Sequence, residues 1–352
     1  MFADRIEAKW IRMFQDALVR CGVTEKSLVG IVAETQSREL NVHLVELAAG
    51  MIGARCFKLV AITPPVTTPV PTRSNGTSMA LIGLEAVLPA LAACDLVVDL
   101  TMEGCLHSPH LRPALAAAGG RAIYILNEHP EGLERAWLSD ADVAAVERNY
   151  EMLAAARQMT VVSDAGTDLT IDLAGQVATR VTGVVDRPGA MGHWPGGLVV
   201  TYPAAGCVNG RIVVDAGDIN CTFKRYGDRP MTLVIENDII VEVIGDGVDA
   251  ELFRAYSAAW NEANALTTAH FGWGMNPRAK WESLAMYDKR DTNGIEARAF
   301  AGNFLVGIGA SSVAKRDTQN HFDIPLRNTT VKVDDITVVD RGRVCFPAVD
   351  AA

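Results

Sequence analysis

Four bulky apolar side chains, Ile6, Trp10, Phe14 and Leu18, recur every four residues, the spacing that stacks them along one stripe of a helix. A helix over residues 4 to 21 is expected, its stripe packed on a larger body. Apolar runs of strand length follow: SLVGIVAE (27–34), CFKLVAI (56–62), DLVVDL (95–100) and RAIYILN (121–127). Helical segments such as RELNVHLVELAAGMIG separate them. Strands alternating with helices predict a parallel α/β sheet. Ligands of such sheets gather outside the carboxyl ends of the strands, so the residues just after Leu100 become candidates for a site.

Between Ile62 and Met79 the Pro-, Thr- and Ser-rich run TPPVTTPVPTRSNGTS carries neither helical nor strand periodicity, and a long loop from Thr63 to Ser78 is expected. The helical stretch 140–158 closes the first half, after which the texture changes to short β-type runs punctuated by Gly and Pro. These are MTVVSD, TDLTIDL, GLVVTY, GRIVVDAG, MTLVIEN and IIVEVIG; the helix DAELFRAYSAAWNEA follows, then NFLVGIG, TTVKVDD and ITVVDRG. Two domains are expected: residues 1–160 as a Rossmann-like α/β domain that contributes to a pocket, and residues 161–352 as a β-rich α+β domain.

Composition narrows the function. With 49% hydrophobic and 21% charged residues the chain can build large cores, and its net charge of −10 repels a nucleic-acid backbone. The charged start MFADRIEAKW and the lack of any long uncharged apolar run predict a cytoplasmic protein without a membrane span. Seven scattered cysteines with no CxxC pair argue against a disulfide framework or a structural zinc site.

No GxGxxG opens the first helix, and neither a phosphate-cradling GxxxxGK[ST] nor a GxSxG nucleophile elbow occurs. Attention moves to seven histidines: His43, His107, His110, His129, His193, His270 and His321. His43 and His129 read as packing or surface residues. His321 and Asp323, in the strand-like run NHFDIPL, point to the same face and can reach one metal ion. Imidazole plus carboxylate, completed by a second imidazole, is the 2-His-1-carboxylate set that leaves positions open on non-haem Fe(II). His270, in TTAHFGWGMNP, is the natural third ligand, expected where an apolar run enters a Gly-rich turn. Zn²⁺ on the same ligands would activate water instead, so a hydrolase stays open at this point, as does a binding protein without catalysis.

The second half resembles the thermophilic-type metalloaminopeptidases in the segments HWPGGLVVTYPAAGCVNGRIVVD, HFGWGMNP, EARAFAGNFLVGIG and NHFDIPLRNTTVKVDD. That resemblance implies the fold, but the two-metal ligand set is altered: the first glutamate falls on Leu198, the second on His270 and the first histidine on Asn303, while His321 and Asp323 remain. The altered pattern is similar to that of the 2,5-dihydroxypyridine 5,6-dioxygenases, which share the fold and bind Fe(II). It is carried by HFGWGMNPRAKW, ARAFAGNFL, HFDIPLRN and, in the first half, DLVVDLTMEGCLHSPH.

This resemblance implies His270, His321 and Asp323 as iron ligands, and a substrate pocket formed by Leu106, His107, His193 and Trp194. It implies His107 as the base that takes the ring hydroxyl proton and His193 as a stabiliser of developing charge. The implied reaction opens 2,5-dihydroxypyridine with O₂ to N-formylmaleamate in nicotinate-type catabolism, with Fe(II) as cofactor, no organic cofactor and a homo-oligomeric state, dimer or hexamer. The residues agree: His107 follows a strand end, where a neutral imidazole suits a phenolic proton, and Trp194 beside His193 offers an aromatic wall. An aminopeptidase-like hydrolase is the alternative.

Overall fold

The computed structural model describes residues 4–65, 78–105, 108 and 110–345. Leu106, His107 and most of the Thr63-to-Ser78 loop lie outside the described residues.

The first helix runs from Ala8 to Arg20 with Trp10, Phe14 and Leu18 buried, as their spacing predicts. Ile6 precedes it and is half exposed. Five parallel strands follow, in the spatial order Arg55–Ala61, Leu28–Glu34, Leu96–Asp99, Ala122–Tyr124 and Met191–His193. The Val- and Ile-rich central strands are buried on both faces because helices cover each side. Glu39–Ile52 is one of these covering helices, burying Leu40, Leu44, Val45, Ala48 and Ala49.

Besides a two-stranded antiparallel ribbon of Ile219–Asn220 and Arg225–Tyr226, two antiparallel sheets form the rest. One has eight strands. The other has five, in the order Arg316–Leu326, Phe304–Ser311, Thr268–Gly274, Leu198–Tyr202 and Val177–Val181. Side chains alternate across these five strands. Phe271, Trp273, Phe304, Val306, Phe322 and Ile324 enter a large apolar core shared with the eight-stranded sheet and with Phe253 and Tyr256 of the helix Val248–Trp260. The opposite face, with Leu198, Val200 and Leu305, turns towards the parallel-sheet half.

The chain crosses the expected boundary near residue 160 twice. Strand Met191–His193 returns to become the edge of the parallel sheet. The capped helix Asp140–Ala155, expected to close the first half, buries Ala145, Val146 and Leu153 in the core of the second. Both features come from long-range packing, to which local patterning is blind.

Trp194 sits at this seam. Its indole meets Phe14 edge-on at 5.1 Å and Trp137 at 5.9 Å between centroids, inside the core that the first helix completes. Phe14→Ala should therefore lower stability by about 3–5 kcal/mol, the usual cost of emptying a buried aromatic site. Chemical denaturation of the purified variant against the parent protein measures that loss.

Candidate metal centre

His270 lies within the strand Thr268–Gly274, not at its exit into a turn. The run HFGWG reads as a turn because of its glycines, yet strand glycines also mark places where something approaches closely. Gly272 is such a place: a methyl group there would strike the Val199 carbonyl of the neighbouring strand. His321 and Asp323 lie two residues apart in Arg316–Leu326, on one face as expected.

Between these two strands runs Phe304–Ser311, whose Gly307 pairs with His270 on one side and with Asp323 on the other. Gly309 pairs with His321. Both glycines belong to the strand face that carries the three polar side chains. A Cβ on Gly307 would run into the His270 imidazole, so the bare backbone there is what lets His270 lean over the middle strand towards Asp323.

The three side chains converge. Each offers a ligand atom, and these atoms lie within 4.8 Å of one another. His270 Nε2 is 3.3 Å from Asp323 Oδ1, and His321 Nε2 is 3.2 Å from Asp323 Oδ2. Ligands bound to one ion at roughly 2.1 Å stand about 3 Å apart in adjacent positions, so the spacing suits a shared metal. Asp323 Oδ1, buried and without a hydrogen-bond partner by geometry among the described residues, also points to a missing partner for this cluster. Two imidazoles and one carboxylate suit a divalent first-row metal.

Arg298, on the short helix Ile295–Ala299, steadies the carboxylate: its Nε donates to Asp323 Oδ2 at 2.6 Å and its Nη1 to the Asn293 carbonyl at 2.7 Å. Burial opposes ionisation of Asp323, but His321, the Arg298 cation and the imidazole hydrogen bonds outweigh it and hold the carboxyl well below its ordinary range. Asp323 is therefore an anion at neutral pH, as a ligand must be.

The cleft over the cluster lies where the two halves meet. Glu103, Leu126 and His193 enter it from the carboxyl ends of three adjacent parallel strands, and Leu198, Val200 and Leu305 supply an apolar floor from the antiparallel sheet. The position expected for the site, just past Leu100, is thus occupied by Glu103. His193 ends its strand with Nδ1 buried and without a hydrogen-bond partner among the described residues. Burial, reinforced by the Arg298 charge, pulls its pKa down to about 4 against a small opposing effect of Asp323. The imidazole is neutral at pH 7. Tyr202, also lining the cleft, lies against the His270 ring with centroids 5.5 Å apart.

Trp194 is not among the cleft residues. The peptide after His193 carries its indole into the first core, so the aromatic wall expected from it is replaced by the aliphatic floor and Tyr202. Leu198 and Asn303, where the aminopeptidase pattern has ligands, do not join the cluster: Leu198 is apolar floor, and Asn303 donates to the carbonyls of Arg298 and Phe300. Arg298, Tyr202, Glu103 and Gly307 escaped sequence reasoning. Two glycines at i and i+2 in FLVGIGA were a usable signal for Gly307.

The NicX family model, described as 2,5-dihydroxypyridine 5,6-dioxygenase, matches residues 9–346. A 2,5-dihydroxypyridine 5,6-dioxygenase of Pseudomonas putida is 35% identical over 344 residues, covering 97% of each chain. The solved structure of 2,5-dihydroxypyridine dioxygenase from Pseudomonas putida KT2440 superposes with a TM-score of 0.92 at 32% identity, covering 99% of both chains. Wild-type AmpT from Thermus thermophilus superposes with a TM-score of 0.62 at 14% identity, covering 96% of this chain and 99% of that one. This second likeness is one of fold, and it agrees with the aminopeptidase-like architecture expected from the sequence.

Gly307→Ala should displace His270 and weaken Fe(II) or Zn²⁺ binding by about tenfold or more, with an unchanged far-UV circular dichroism spectrum; a metal titration reads the difference. The depressed pKa of His193 makes a second prediction. Between its unfolded value, 6.5, and about 4 the unfolded chain binds the proton more tightly, so stability falls as pH drops through that window. His193→Gln should remove on the order of 2–3 kcal/mol of that acid loss, measured as the wild-type-minus-variant difference in unfolding free energy from pH 7 to pH 4.

Proposed function

The chain belongs to the 2,5-dihydroxypyridine 5,6-dioxygenase family, and we propose that it opens the ring of 2,5-dihydroxypyridine with O₂ to give N-formylmaleamate, using Fe(II). The observation that carries this reading is the convergence of His270, His321 and Asp323 above Gly307, at the floor of a cleft with an apolar lining.

His270, His321 and Asp323 would hold the iron. Bound there, Fe(II) supplies a redox-active centre with positions open to the ring hydroxyl and to O₂. The chain's own groups do the rest. Arg298 keeps Asp323 ionised and fixes its orientation, as groups behind a metal ligand commonly do. Leu198, Val200 and Leu305 offer a flat ring an apolar surface and exclude water from it. His193, neutral and with Nδ1 unpartnered among the described residues, is suited to exchange a hydrogen bond with a ring substituent; it carries no fixed positive charge. Tyr202 bounds the cleft beside His270. His107 is assigned the ring hydroxyl proton, on the strength of its place after the third parallel strand and the family resemblance. With Leu106 it completes the proposed pocket. The proposal includes a cytoplasmic homo-oligomer, dimer or hexamer, acting in nicotinate-type catabolism. Among the described residues no helix is long and apolar enough to cross a membrane.

Anaerobic loading with Fe(II), followed by addition of 2,5-dihydroxypyridine and O₂, tests the reading. One O₂ consumed per ring lost, with His321→Ala no better than the metal-free protein, is the expected outcome. Iron bound by the three ligands without O₂ uptake would contradict it.

A further inference from the structure

A second cavity, of about 310 Å³, adjoins the metal cleft. Thr179 lines both spaces. Met191 and Gly192 line the second, and the next residue, His193, lines the first. Three guanidinium groups border it: Arg112, Arg180 and Arg187. Two of them are engaged. Arg180 and Arg187 share Glu147 at 2.8 and 2.9 Å, Arg187 also lies 3.6 Å from Asp186, and Arg180 covers the Tyr150 ring at 4.2 Å. Arg112 forms no ion pair with any described residue, and its charge is felt by the phenols of Tyr124 and of Tyr202 in the cleft. A protein with net charge −10 thus keeps beside its cleft a cation that is unpaired among the described residues.

We propose that this arginine-bordered cavity is a carboxylate site, with Arg112 as its principal cation, that receives the ring-opened product as it leaves the cleft. The inference rests on the ring-opening reading above. In that reaction the bond between the hydroxyl-bearing carbon and the carbon next to nitrogen breaks, the O–O bond breaks, and each carbon gains one oxygen. One carbon becomes the formyl group and the other a carboxyl group; the ring carbons are oxidised and O₂ is fully reduced, with no other reactant. The hydroxyl proton assigned to His107 passes on to solvent at neutral pH, so a ring that arrives uncharged leaves as a carboxylate anion. Inside the cleft, Arg298 is committed to Asp323 and to the Asn293 carbonyl and does not serve the new charge. Next door, Arg112 is a cation without an ion pair among the described residues, and a guanidinium binds a carboxylate through a bidentate fork.

Maleamate, a stable amide-carboxylate, and its uncharged counterpart maleamide are suitable probes, titrated calorimetrically into the full-length protein with and without Fe(II). Maleamate should bind in both forms, more weakly as salt rises, and about tenfold more weakly in Arg112→Gln. Arg112→Lys should recover part of the loss, and maleamide should bind poorly throughout. In steady state, Arg112→Gln should relieve product inhibition and leave KM for the uncharged ring unchanged. Equal maleamate affinity in Arg112→Gln and the parent protein would overturn the proposal, as would binding that requires iron or equal affinity for maleamide. Absence of ring cleavage with Arg112-dependent maleamate binding retained would count against the ring-opening reading while supporting the carboxylate site.

Discussion

The cluster of His270, His321 and Asp323 depends on space above one backbone position. Three strands surround the cluster, and the middle one gives it room rather than a polar side chain: Gly307 pairs with His270 on one side and with Asp323 on the other. Any side chain there would fill the volume in which the ligands meet. The reverse faces of the same strands are fixed by Phe271, Trp273, Val306, Phe322 and Ile324, packed in the largest core of the molecule. Close-packed interiors resist deformation. The geometry of the cluster is thus held from behind by apolar packing and released in front by a missing Cβ.

A second set of constraints ties the parallel-sheet half to the segment that carries Arg298. Glu128 accepts the backbone N–H groups of Asn293 and Ile295 at 2.8 and 2.9 Å. Arg38 pairs with Asp291 at 2.8 Å, and Arg135 grips Glu296 through both carboxylate oxygens. These charges are largely buried, so removing one member leaves its partner uncompensated, a loss of about 3–5 kcal/mol. The chain of contacts runs from the first half through Asn293 and Arg298 to the carboxylate of Asp323. The two halves therefore share one site, consistent with a cleft whose walls come from both.

Much of this was legible in the sequence because it is periodic or local. The alternation of strands and helices predicts the parallel sheet, and the H-x-D spacing puts His321 and Asp323 on one face. What escaped depends on contacts between distant positions. His270 joins the His–Asp cluster, but its Gly-rich surroundings suggested a turn where the chain runs straight through a strand. Trp194 follows His193 directly, yet alternation sends it into the first core. Arg298 reaches a partner 25 residues away across the sheet, and no local pattern announces such a pair. Helix Asp140–Ala155 carries only a weak apolar stripe, and only the finished fold decides which core receives it.

The central claim is a single ion held above Gly307 by two imidazoles and one carboxylate. Anomalous diffraction at the iron edge, from crystals loaded with Fe(II) without oxygen, tests it most directly. The account predicts one peak per chain, bonded to His270, His321 and Asp323. Two peaks in the manner of a dinuclear hydrolase, or one peak away from these residues, would contradict it.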